Sequence, residues 1–102
     1  MQPNMRLLQQ MQARLAQIQQ ELAESTVEGT AGGGAVRVVV NGLRAVQQIH
    51  IDPGVVDPQD VGMLEDLILA ALNDAMKRAE ELASSKLGAL AGGLQLPGLS
   101  PS

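Results

Sequence analysis

Residues 4–24, NMRLLQQMQARLAQIQQELAE, place apolar side chains at Leu8, Met11, Leu15, Ile18 and Leu22. Steps of three and four residues alternate, so one stripe forms on an α-helix, with the mean period of a seam between packed helices. The segment has no Gly or Pro and is rich in helix formers. It predicts a helix of roughly 30 Å. A small sheet cannot cover that length, so part of it should project. Two heptads are too few for a free-standing coiled coil, and a helix lying along its own domain explains the stripe equally well.

The pattern then changes period. Ser25 to Thr30 reads as a short strand, followed by the glycine-rich connection Ala31 to Gly34. In GAVRVVVNGLRAVQQIHID, Val36, Val38 and Val40 alternate with Ala35, Arg37 and Val39, as in a strand with one buried face. Asn41-Gly42 predicts a two-residue type I′ turn into a third strand over Leu43 to Asp52. Val46 and the pair Ile49, Ile51 have opposite parity, which predicts a bulge or two-sided burial near Gln47-Gln48. A three-stranded sheet needs something over its apolar face.

Asp52-Pro53-Gly54 ends the sheet with turn chemistry. Asp57 is a good helix N-cap, Pro58 suits the first helical position and Asp60 the first turn. From there to about Leu90 the apolar positions 61, 64, 68, 71, 72, 75, 76, 79, 82 and 83 fill one broad face, with Asp66, Asn73, Lys77 and Glu81 turned away. Such a helix, about 45 Å long, covers the sheet with its middle and also outruns it. The prediction is an α+β, α-β-β-β-α protomer: a three-stranded antiparallel sheet on a long helix, with projecting helical arms. Residues 1–90 form a single domain. Gly88, Gly92, Gly93 and Pro97 mark where order fades, leaving residues 91–102 as a flexible tail.

Composition makes the core thin. The chain has 102 residues and no Phe, Tyr, Trp or Cys. Without the large aromatic payload or disulfides, oligomerisation is the remaining way to enlarge so small a core. A homodimer is expected, with Leu64, Leu67, Ile68, Leu72 and Ala75 at its core. No apolar run is long enough for a membrane span, and no secretion signal stands at the start. A soluble, cytoplasmic protein without a membrane partner follows.

Catalytic patterns are missing. His50 is the single histidine, so neither an imidazole metal site nor a thiolate site can be built. Glu65-Asp66 and Glu80-Glu81 are adjacent pairs splayed about 100° apart on a helix and converge on nothing. EGTAGGG lacks the Gly-Lys-Ser/Thr ending of a phosphate loop. Gly29-Thr30-Ala31-Gly32 matches a GxxG clamp, but between strands rather than helices. The expectation is no enzyme, no cofactor, no metal and no small-molecule substrate.

The net charge of −4 is not a nucleic-acid-binding field. Counted by segment it is 0 for residues 1–24, −1 for 25–57 and −3 for 58–102. Any anionic partner must be met by local cations: Arg6 and Arg14 on the first helix, and Lys77, Arg78 and Lys86 on the last. Lys86 falls inside the apolar arc, as if the helix has left the core there or the side chain snorkels. Without aromatic residues, base stacking is impossible. Phosphate contact with duplex needs only Lys, Arg and backbone donors.

LLQQMQARLAQIQQEL at 7–22, VRVVVNG at 36–42, IHIDP at 49–53, MLEDLILAALNDAMKRAEE at 63–81 and GLQLPG at 93–98 together resemble the YbaB/EbfC family of bacterial nucleoid-associated proteins, over nearly the whole chain. The resemblance implies a tweezer-like homodimer, joined through its sheet and central helix. It would bind duplex DNA with little sequence selectivity, at the nucleoid in the cytoplasm, and act in nucleoid organisation and gene expression. Carried over by position, the DNA contacts would be Arg6, Arg14, Lys77, Arg78 and Lys86. Family members often begin with a Lys- and Gly-containing segment, whereas this chain begins MQPNM, which lowers the DNA affinity expected of it. Two readings from other classes stand beside this one: a prefoldin-like holdase gripping unfolded chains with helical arms, and a structural adaptor for a replication or recombination partner.

Overall fold

The computed structural model describes residues 5–93, and side chains as far as residue 90. The elements are α1 (Met5–Glu24), β1 (Thr26–Ala31), β2 (Val36–Asn41), β3 (Val46–Ile51), a 3₁₀ turn (Pro53–Val55) and α2 (Val61–Gly93). The strands form one antiparallel sheet in the order β1-β2-β3. This is the α-β-β-β-α architecture that the alternating periods predict. Residues 94–102, most of the expected tail, lie outside the described residues.

Val36, Val38 and Val40 are fully buried against Ala71, Ala75 and Ala79 of α2. These residues are small because the helix lies very close to the sheet. A Cβ on Gly29 of β1 would sit 2.2 Å from the Ala75 amide nitrogen and 2.4 Å from the Ala71 carbonyl oxygen. Backbone therefore meets backbone there, and only glycine fits. Val27, Ala31, Leu64, Leu67, Ile68, Leu72 and Met76 close around this contact half-buried. Of the expected core residues, Ala75 is fully buried, while Leu64, Leu67, Ile68 and Leu72 keep part of their surface exposed.

The hairpin departs from the two-residue turn. Residues 42–45 separate β2 from β3, Arg44 takes the positive φ of 66° and Gly42 does not. The Asn41 and Gly42 groups are engaged elsewhere. Asn41 Oδ1 accepts from the Leu43 and Ala45 amides at 3.0 and 2.9 Å, and its Nδ2 donates to the Ala23 carbonyl at 3.2 Å. The Gly42 amide donates to the carbonyls of Leu22 and Ser25 at 2.8 and 3.0 Å. A Cβ on Gly42 would lie 2.7 Å from Leu22 Cδ2. The dipeptide thus receives the C-terminal end of α1, and the turn is longer because of it. The predicted bulge is present: Val39 faces Gln48 and Val40 faces Val46, leaving Gln47 as the extra residue.

α2 begins three residues later than the Asp57-Pro58 signal suggests. Asp57 instead accepts from the Gln59 amide at 2.9 Å in a turn, and Asp60 caps the helix by accepting from the Met63 amide at 3.2 Å. Asp57 closes a turn, and Asp60, three residues on, starts the helix. With 33 residues α2 is about 50 Å long, against about 20 Å for a six-residue strand. The described molecule measures 71 × 29 × 16 Å. Leu22 is the one fully buried residue of α1, and the last on α2 is Ala79. Beyond these points both helices leave the body together, as arms.

Candidate nucleic-acid interface

α1 runs back toward the body and α2 runs outward, so the arm is an antiparallel helix pair. Lys86 Nζ lies 3.4 Å from Glu21 Oε2 across it. This explains the lysine inside the apolar arc: α2 has passed the sheet, and its inner face meets a carboxylate on α1. Arg14, Gln17, Ile18 and Glu21 face Lys86, Ala89 and Leu90 across an open cleft of about 350 Å³. Two of the five expected DNA contacts, Arg14 and Lys86, are thereby brought to one place. Arg6 lies eight residues beyond Arg14, about 12 Å further along α1, and is exposed.

Lys77 and Arg78 sit on a stretch of α2 that still belongs to the body, just before Ala79. Arg78 Nε lies 3.3 Å from both carboxylate oxygens of Asp74. Asp74 also accepts from the Thr30 amide of the sheet-edge strand β1 at 3.0 Å. That amide, and then Arg78, hold the Asp74 carboxyl below the usual carboxylate range, against a smaller opposing effect of desolvation. Asp74 thus ties α2 to the edge of β1, and Arg78 is paired with that same carboxylate. Lys77 shares its surroundings with Glu80 and Glu81.

Geometry regroups the charge. All eleven acidic residues fall between Glu21 and Glu81. Residues 1–20 and 82–102 contain Arg6, Arg14 and Lys86 and no acid, +3, while the body keeps four basic residues against eleven acidic ones, −7. Counting by sequence segment hid this, because Glu21 and Glu24 lie at the last turn of α1, where the arm joins the body. Sequence reasoning also passed over Arg44. Its left-handed backbone places it at the arm's root, lining a second groove with Leu15, Ile18, Leu22 and Leu87.

Two further surfaces are defined. β3 carries Val46 and Ile49 on the helix side of the sheet, paired with buried Val40 and Val38, yet they are 46% and 49% exposed. α2 lies chiefly over β1 and β2, so the sheet is only partly covered by its own helix. On the far side of the sheet Arg37 pairs with His50, whose Nε2 meets Gln48 Oε1 at 3.1 Å. Among the described residues no three His, Cys, Asp or Glu converge as a metal site, and no helix is long and apolar enough to cross a membrane.

Comparison with known proteins gives this geometry a context. The model of the YbaB/EbfC DNA-binding family matches residues 1–94. A nucleoid-associated protein of Chloroflexus aurantiacus is 54% identical over 91 residues, 89% of this chain and 91% of that protein. One from Pelotomaculum thermopropionicum is 50% identical over 95 residues, 93% and 90% of the two chains. A crystal structure of an uncharacterized Helicobacter pylori protein superimposes with a TM-score of 0.74 at 26% identity, over 83% of this chain and 89% of that one. By its family model and by these relatives, the chain belongs to the YbaB/EbfC DNA-binding family, which is not a family of enzymes.

Proposed function

We propose that the protein is a cytoplasmic, nucleoid-associated homodimer that grips duplex DNA with its helical arms, through phosphates and with little sequence selectivity, and so takes part in nucleoid organisation and gene regulation. The observation that carries this is the distribution of charge along the arm: Glu21, Glu80 and Glu81 stand at its root, and outward of them the chain has Arg6, Arg14 and Lys86 and no acid. Arg14 and Lys86 across one cleft, with Arg6 beyond them, are the leading contacts. Lys77, Arg78 and Arg44 lie at the arm's root, where acidic neighbours reduce what they offer a phosphate. With no aromatic residue in the chain, base stacking contributes nothing, and phosphate contacts alone carry no sequence information.

The dimer reading rests on the uncovered side of the sheet. Asp74 and Leu67 border β1. At 100° per residue, Leu69, Leu72 and Met76 lie on the opposite flank of α2, toward Val46 and Ile49. Leu69 is 57% exposed. Burying a side chain of this size contributes about 1.5–3 kcal/mol, so a few half-exposed ones on each protomer suffice to favour association. Asp74 occupies the edge of β1, while β3 remains the open edge. Both features direct a second copy to β3.

The test is a titration of a random-sequence duplex at several salt concentrations. If three arm cations per protomer reach phosphates in a dimer, log K falls with log salt at a slope of about −5. The triple variant Arg6→Ala, Arg14→Ala, Lys86→Ala is expected to lose most of the affinity and slope while remaining folded. Equal binding by the two proteins would refute the arm mechanism. Salt-insensitive capture of an unfolded chain in place of DNA would support the holdase reading, which the exposed Leu7, Leu8 and Leu15 of α1 favour.

A further inference from the structure

The two ends of this long molecule have opposite characters. Lys86 lies opposite Glu21, so in an antiparallel pair Gly93, the last residue of α2, falls opposite Arg14. Residues 5–13 of α1 project beyond it by about 13 Å. Met5, Leu7 and Leu8 in that stretch are 58%, 46% and 54% exposed. Exposed Arg6 stands among them, and residues 1–20 contain no acid. At the other end α2 begins, and there Val56, Val61 and Met63 are 51%, 52% and 41% exposed. Between Arg44 and Lys77 the chain has six acids and no lysine or arginine. Two of them, Asp60 and Asp66, stand three residues before and after Met63, and so beside it. Met63 is nine residues from Leu72, on the opposite side of α2, so the flank assigned to the homodimer leaves it free.

We propose that copies of this chain associate head to tail, the outer end of α1 from one copy lying on the first turns of α2 of the next. Leu7 and Leu8 then cover Met63, and Arg6 lies beside Asp66. The occupant is a second copy because the two surfaces match in charge, one wholly basic and one wholly acidic, and both are apolar at their centres. One chain cannot bring them together: Met63 and Gly93 are thirty residues apart on one helix, about 45 Å, and the end of α1 lies further out still. Pairing arm with arm would instead set Arg6 and Arg14 against their like, with no acid between them. A contact that joins unlike surfaces at opposite ends does not close on itself, and grows as an open row. Only a few side chains take part, so the association belongs to the weak and transient class, and its ionic part fades with salt. The inference uses the geometry of the arm and is independent of DNA binding.

The test is sedimentation velocity of the full-length chain without DNA, over a concentration series in dilute and in near-physiological salt. In dilute salt the average mass is expected to climb past two chains as concentration rises, and to climb less at the higher salt. Arg6→Glu and Asp66→Lys each set like charges together, and each is expected to weaken this growth about tenfold or more. Mixed in equal amounts, the two variants should regain it, because the reversed arm of one meets the reversed body of the other. A wild-type mass that stops at two chains overturns the proposal. Growth untouched by Asp66→Lys, or not restored by mixing, overturns it too. Because the chain contains no cysteine, a disulfide reads the contact directly. Leu7→Cys protein mixed with Met63→Cys protein under mild oxidation is expected to form the mixed disulfide several-fold faster than either protein couples to itself. A mixed disulfide that forms no faster overturns the head-to-tail contact.

Discussion

Replacing Glu21 with Gln should tighten DNA binding, although the substitution removes one of the two ion pairs among the described residues. In the free protein Glu21 holds Lys86, and a phosphate entering the cleft must take that lysine from it. The side chains of Lys86 and Glu21 are 31% and 45% exposed, so the pair is partly solvated and contributes about 0.2–1 kcal/mol. A dimer has two such pairs. Removing the competitor therefore gains about 0.4–2 kcal/mol, roughly two- to thirtyfold in affinity. The glutamine keeps the shape of the glutamate and costs the fold at most the small value of the pair. The assay is fluorescence anisotropy of a labelled random duplex at low and at near-physiological salt, with Lys86→Ala and the double variant completing a cycle. The gain should shrink as salt rises and should largely disappear in the Lys86→Ala background. If Glu21→Gln binds no more tightly than the wild type while folded, or if its gain persists without Lys86, Glu21 and phosphate do not compete for Lys86.

Gly29→Val puts a side chain where the Ala71 and Ala75 backbone already sits, and no flexible neighbour can move aside. Chemical denaturation should show a loss of about 3 kcal/mol or more, with failure to fold also consistent. Asn41→Ala leaves the Leu43 and Ala45 amides without their acceptor and should cost about 1–3 kcal/mol, with faster exchange at the α1–hairpin junction. Ionised Asp74 contributes stability above the ordinary carboxylate range, because its folded-state pKa is lowered. That contribution is lost as pH falls through the lowered value. Acid titration should therefore show the wild type more stable than Asp74→Asn near neutrality and the difference vanishing at acid pH. Ile49→Asp places a charge at the open β3 edge, and sedimentation at micromolar concentration should show its mass halved relative to the wild type.

The fold was legible because each element carries its own period. Alternation marked Val36, Val38 and Val40 as the buried face, the change of parity marked the Gln47 bulge, and the 3-4 spacing marked α1. Local rules erred where one residue serves two elements. Asn41-Gly42 carries a hairpin signal and is used to dock α1, while Asp57 and Asp60 both carry cap signals and only the second opens α2. Gly29 was placed in the first strand, but nothing in sequence says that two backbones will touch there. At the candidate site all five cations were visible as residues. Their grades were not: Arg78 belongs to Asp74, which is itself held by the Thr30 amide forty-four positions away, and Lys86 belongs to Glu21 across the arm.

An acidic protein in a DNA-binding family is a contradiction only if its charge is treated as a point. Arg6 lies fifteen residues along α1 from Glu21, the first acid of the body, or about 22 Å. The screening length is about 8 Å at physiological salt, so a phosphate at the arm's outer end responds to Arg6 and Arg14 and little to the −7 behind them. In dilute salt, where the length grows to about 30 Å, the body's charge reaches the same phosphate and opposes it. On the proposed arm mechanism the acidic body would act on where DNA lies rather than on whether it binds, with contact favoured along the arms and disfavoured at the sheet. A duplex held this way stays away from Val46, Ile49 and Leu69, the apolar surface on which the dimer would form. The two proposed interfaces could then be occupied together, because charge would keep them apart.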